Sequence, residues 1–175
     1  MDDETSALCD AEVVILFAKR GYCQDFFQTE SGFISTMFVI PKKTVKGIKK
    51  FRPILNLKRL NSFVRYEHFK MEGLDSVKYL LKPNDWLVKI DLQDAYFLVP
   101  VAAQHRKYLR FFWKGVLYEY VCLPFGLCSA PRVFTKILKP IIRRLRAMGI
   151  RFIIYLYDML IMGESPEEVQ RHLKW

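Results

Sequence analysis

Residues 150–156 (IRFIIYL) and 159–162 (MLIM) are two apolar runs separated only by Tyr157-Asp158. Runs this short, rich in isoleucine and aromatic side chains, read as strands, and the gap leaves room only for a tight turn. The chain must therefore carry an antiparallel hairpin with an acidic residue at its tip. Directly before it stands the clearest helix, residues 131–148. Pro131 suits a first turn, Gly149 suits a stop, and Pro140 should kink the helix or split it in two.

The remaining segments follow the same logic. Residues 11–21 read as a short helix with a basic last turn and a glycine stop. Residues 35–41 (STMFVIP) and 51–57 read as two strands of a flap, with Pro53 at an edge, joined by a basic loop around Gly47. Residues 74–81 form a helix stopped by Pro83, and residues 86–92 (WLVKIDL) a strand. Residues 108–113 and 116–121 flank Lys114-Gly115 as a hairpin. Ser165 caps a last helix that opens Pro166-Glu167-Glu168. With no repeat and no linker, the pattern predicts one α+β unit with an antiparallel sheet.

The 175 residues suffice for a packed core, and a hydrophobic share of 51% excludes a disordered chain. The net charge of +10 favours an anionic partner, nucleic acid before a membrane surface. Asp2, Asp3, Glu4, Asp10 and Glu12 are the opposite of a secretory leader, and the most apolar stretch contains Asp158. The expectation is an intracellular protein, in cytoplasm or nucleus, without a membrane segment. Cys9, Cys23, Cys122 and Cys128 form no close pair and the histidines are scattered, so reduced thiols are expected rather than structural zinc.

Four constellations could carry chemistry. In residues 89–97 (KIDLQDAYF) an apolar strand ends on Asp91, where a carboxylate can face a hard cation such as magnesium; the bland alternative is a helix cap. Asp158 at the hairpin tip is either turn chemistry or a second carboxylate brought to the same point. Residues 123–131 (LPFGLCSAP) run into a helix, and Gly126 would let the backbone approach a flat ligand, unless the segment is a simple helix entry. Residues 42–59 hold eight Lys or Arg and no acid; Phe51, Ile54 and Leu57 between them argue for an ordered edge over phosphates rather than a solvated tail.

Taken in order, these pieces resemble the reverse transcriptases of long-terminal-repeat and related retroelements, the Ty3/gypsy and DIRS-like group. The likeness runs from about Gly32 to Gly163. It rests on FVIPKK at 38–43, RPILNLKRLN at 52–61, DLQDAYF at 91–97, LPFGLCSAPRVF at 123–134 and YLYD at 155–158. The resemblance implies right-hand polymerase fingers plus a ferredoxin-like palm, an α+β fold. It divides one domain over 1–175 into parts of the fingers and palm (about 1–90 and 97–122) and palm core (86–96 and 123–163). It also implies RNA-directed DNA polymerase activity: deoxynucleotide addition to a template-primer of RNA or DNA, with two Mg²⁺ ions. By the same resemblance Asp91, the Leu92 carbonyl and Asp158 are metal ligands. Lys43 and Arg52 grip the triphosphate, Tyr96 packs under the sugar, and Phe125 and Gly126 lie beneath the templating pair.

The match breaks at Tyr157, where the family carries the first aspartate of its Y-x-D-D turn. A phenol is neutral at pH 7 and a poor magnesium ligand. Impaired catalysis is therefore expected, the alternatives being an inactive nucleic-acid-binding remnant or a degenerate fragment. Asn56 and Lys58 depart from common family residues more mildly. The family continues through further palm, a thumb and often a ribonuclease H domain past the point matching Trp175, so the implied assignment includes no thumb and no ribonuclease H domain, and partner dependence or aggregation is expected. Oligomeric state is left open.

Overall fold

A computed structural model describes residues 3–19, 21–24, 31–41 and 51–174. In chain order the elements are α1 (Asp3–Ala18), β1 (Tyr22–Gln24), β2 (Met37–Pro41), β3 (Phe51–Leu55), α2 (Lys58–Asn61), α3 (Leu74–Leu80), β4 (Trp86–Asp91), a 3₁₀ turn (Ala95–Leu98), α4 (Ala103–Arg106), β5 (Arg110–Trp113), β6 (Val116–Tyr120), α5 (Ala130–Ala147), β7 (Arg151–Tyr155), β8 (Asp158–Gly163) and α6 (Pro166–His172). The expected α+β architecture forms, with three antiparallel sheets among the described residues where one was expected. The loop expected at 42–50 lies outside the described residues.

The chain divides into two compact units, Met1–Tyr66 with Tyr96–Ala130, and Glu67–Ala95 with Pro131–Trp175. In the first, β1, β6 and β5 form an antiparallel sheet in that order, and β2 and β3 pair as a separate ribbon. Val13 and Leu16 of α1 pack with Tyr22, Leu55, Leu57, Leu60, Phe111 and Tyr120 in its core. The Tyr22 hydroxyl donates to the Val13 carbonyl, which satisfies a buried polar group. Cys122 donates to the Gly21 carbonyl, and burial pushes its thiol up to about 12, so it stays protonated and inert. Lys114 and Gly115 both take positive φ, which closes the β5–β6 hairpin with the primed geometry that matches strand twist.

The second unit is a sheet ordered β4-β8-β7. Register assigns its two faces. Ile90, Met159 and Ile154 form one cross-strand row, and Ile161 and Phe152 stand in the next row on that face. Leu138, Ile142 and Leu145 of α5 pack against them. The opposite face carries the rows Asp91, Asp158, Tyr155 and Lys89, Leu160, Ile153. The helix α5 runs unbroken through Pro140 rather than splitting there. Pro140 and Lys136 are exposed, so the carbonyl that loses its partner faces water. Ser165 caps α6 as expected, accepting from the Glu168 amide at 3.2 Å.

Several elements differ from expectation, and the short helices α2 and α4 have no expected counterpart. The helix α1 starts eight residues earlier than residue 11, at Asp3, and ends at Ala18 with no basic residue in its last turn, short of the expected glycine stop. The strand β1 was not anticipated; at three residues it is too short to show a period. The hairpin turn consists of Leu156 and Tyr157 rather than Tyr157 and Asp158, because Asp158 is already paired in β8. Leu156 takes φ 55, the left-handed conformation a two-residue hairpin requires at its first turn position.

Candidate active site

The corner where β4 meets the β7–β8 hairpin brings Asp91 and Asp158 into direct register, so both carboxylates leave the same face of the sheet. The hydrogen bond from the Leu92 amide to the Tyr157 carbonyl, 2.9 Å, continues the pairing past the strand ends. Neither bland alternative holds. The helical turn after Asp91 begins only at Ala95, so its cap position falls on Asp94, and Asp158 is a strand residue rather than a turn residue.

A residue not singled out from sequence completes the corner. Lys89 stands two residues before Asp91 on the same face, and its ammonium bonds an Asp158 oxygen at 2.8 Å. This is a diagonal cross-strand pair, since Lys89 itself opposes Leu160. The hydrogen bond and charge of Asp158 hold the Lys89 ammonium above its ordinary range, with Asp91 and Tyr157 adding to the effect. Beside the ion pair lies a groove of about 540 Å³ lined by Ile153, Tyr155 and Leu160 of the sheet and by Gly73 and Val77 near α3.

Magnesium prefers several hard oxygen ligands in near-octahedral geometry. Here two carboxylates share the face, a phenol stands at residue 157, and an ammonium already holds one carboxylate. Among the described residues no three His, Cys, Asp or Glu side chains gather as a metal set. The residues do not fit a two-ion centre.

The other sequence-predicted residues fall in the first unit, apart from Lys43, which lies outside the described residues. Arg52 stands in β3 opposite Ile40, and its side chain lies outside what is described. Tyr96 is buried, and its ring meets that of Phe125 with centroids 5.2 Å apart. Gly126 has φ +92, a conformation that side chains avoid. Its carbonyl accepts from the Asn61 side-chain amide at 2.8 Å, and the Asn61 side-chain oxygen accepts from the Cys128 amide at 3.0 Å. Asn61 thus latches the 123–130 loop to α2. It ends the RPILNLKRLN motif, which was the available signal. A second groove of about 540 Å³ is lined by Phe33, Ser35, Thr36, Asn56, Lys58 and Arg59. The Arg59 guanidinium lies over the Phe33 ring at 5.3 Å.

A family model for reverse transcriptase (RNA-dependent DNA polymerase) matches residues 40–175. The chain belongs to the reverse transcriptase family. The retrotransposon likeness is also borne out. This reverse transcriptase chain is 26% identical over 142 residues to the retrovirus-related Pol polyprotein from transposon 297 of Drosophila melanogaster, covering 81% of the chain and 13% of that protein. It is 27% identical over 138 residues to the transposon Tf2-3 polyprotein of Schizosaccharomyces pombe, covering 79% of the chain and 10% of the relative. Prototype foamy virus protease-reverse transcriptase shares the fold at a TM-score of 0.80 and 14% identity, over 99% of this chain and 22% of that one. The foamy viral enzyme in complex with dsDNA superposes at 0.79 with 17% identity, over 99% of this chain and 34% of that one. Identities this low establish the polymerase fold and nothing finer. No helix among the described residues is long and apolar enough to cross a membrane.

Proposed function

We propose that this reverse transcriptase domain holds nucleic acid but performs template-directed deoxynucleotide addition poorly or not at all. The observation that carries the reading is the composition of the β4–β8 corner: Asp91 and Asp158 in register, a tyrosine at residue 157, and a lysine bonded to Asp158. Asp91 and Asp158 are two carboxylates on fixed strand ends; where the family carries a further acidic group, this chain has a phenol. In the family the chemistry is supplied by two divalent ions, with deoxynucleoside triphosphates and a template-primer as substrates. We assign Asp91, the Leu92 carbonyl and Asp158 as the remaining ligand positions, Lys43, Arg52 and Tyr96 to the incoming nucleotide, and Phe125 and Gly126 to the templating pair.

Nucleic-acid binding is supported separately by the net charge of +10 and by the groove that places Lys58 and Arg59 beside Phe33. Primer extension by the chain and by a Tyr157→Asp variant, with Mg²⁺ or Mn²⁺, tests the catalytic half. Equal rates in the two proteins overturn it. An oligonucleotide titration tests the binding half, and no measurable affinity at low salt overturns that.

A further inference from the structure

The acidic corner contains its own cation. Asp91 and Asp158 stand opposite each other, and the Lys89 ammonium reaches diagonally across the ladder to within 2.8 Å of Asp158. Lys89 is 68% exposed and Asp158 40%, so the pair faces the open side of the sheet, where a bound ion would have to sit. We propose that Lys89 is the resident counter-ion of this corner and that it displaces divalent metal from the Asp91–Asp158 pair. The inference rests on the functional reading above only in taking this corner as the ancestral metal site.

Electrostatics set the direction. With residue 157 a phenol, two carboxylates and one ammonium leave a single net negative charge. A divalent ion approaching Asp158 must break the ion pair and then sit beside a positive charge. Exposed ion pairs are weak, so the first cost is small. The second is larger, because like charges a few ångströms apart repel even in water. Neutralising Lys89 should therefore tighten divalent binding by roughly tenfold or more. The exposed position of the side chain means the substitution leaves the fold intact.

The test is Mn²⁺ uptake by the full chain, followed by electron paramagnetic resonance of free Mn²⁺, in the unaltered protein and in Lys89→Gln and Lys89→Arg. The expected order is uptake by the glutamine variant at roughly tenfold or more lower Mn²⁺ than by the unaltered chain or by the arginine variant, which keeps the positive charge. Equal uptake by all three overturns the inference, as does uptake by the arginine variant matching that of the glutamine variant. The readout is occupancy, not turnover. A chain that binds no oligonucleotide but follows this order would sink the functional reading and keep this one. A chain that binds oligonucleotide while its Mn²⁺ uptake ignores residue 89 would do the reverse.

Discussion

The guanidinium of Arg151 grips the carboxylate of Asp85 through two hydrogen bonds of 2.7 Å each. The Asp85 side chain is only 2% exposed, and a third bond from Arg151 reaches the Leu80 carbonyl at 2.9 Å. One residue of β7 thus ties together the end of α3 and the turn leading into β4, the strand that ends on Asp91. The Arg151 hydrogen bond, followed by the Lys82 backbone amide and nearby positive charge, holds the Asp85 carboxyl at about 2.

Stability should fall in acid through this group. Its folded pKa of about 2 lies below the unfolded value of about 4, so its contribution is complete above pH ~4 and is lost as pH falls through ~2. Asp85→Asn should melt lower at neutral pH and show a shallower loss between those limits. Melting temperatures of both proteins across that range check this; parallel curves contradict it.

Phe152 is fully buried between the sheet and α5, with the Arg146 guanidinium over its ring at 5.2 Å. Phe152→Ala should cost about 3–5 kcal/mol, the range for emptying an aromatic site in a packed core. Urea unfolding measures it, and a cost below ~1 kcal/mol would mean that α5 does not pack on this face.

Asn61 should be separable into its two hydrogen bonds. Asn61→Ala loses both and should cost about 1–3 kcal/mol, while Asn61→Asp keeps the acceptor for Cys128 and loses the donor to Gly126. Limited proteolysis of the 123–130 loop should rank alanine above aspartate above the unaltered chain in cleavage rate. Identical rates would show that the latch does not hold this loop.

Oligonucleotide affinity should fall steeply with salt. Lys58→Ala and Arg59→Ala should each weaken binding across sequences and reduce the log–log slope by about one. An unchanged slope in both variants would remove that groove from the binding surface.

Restoring the acidic turn should raise primer extension roughly a thousandfold or more, since a charged ligand at this type of centre is worth several kcal/mol of transition-state stabilisation. Single-turnover extension by Tyr157→Asp measures it. An inert variant would put the defect outside residue 157.

Most of the sheet was legible because alternation and turn residues are local signals: Val88 and Ile90 inward, Lys89 and Asp91 outward, and Lys114-Gly115 closing a hairpin. The pairing of Asp91 with Asp158 was legible only from the order of motifs, since 66 residues of chain lie between them. What escaped was whatever depends on register. The diagonal reach of Lys89 to Asp158 follows from which residues oppose each other, and that shifted when Leu156 rather than Asp158 entered the turn. Asn61 escaped for a related reason: its partners at Gly126 and Cys128 are set by tertiary approach, not by spacing.

Backbone pairing with β4 and β7 places Asp158, and the Tyr157 carbonyl, which any residue at 157 would supply, accepts from the Leu92 amide just past β4. On the proposed reading, the change at 157 alters the chemistry of the corner, while the backbone pairing that places Asp158 is the same for any residue there. Tyrosine and aspartate codons differ in the first base only, so a single nucleotide substitution separates this allele from one with the acidic turn, and a lineage carrying it would be one point mutation from reversal.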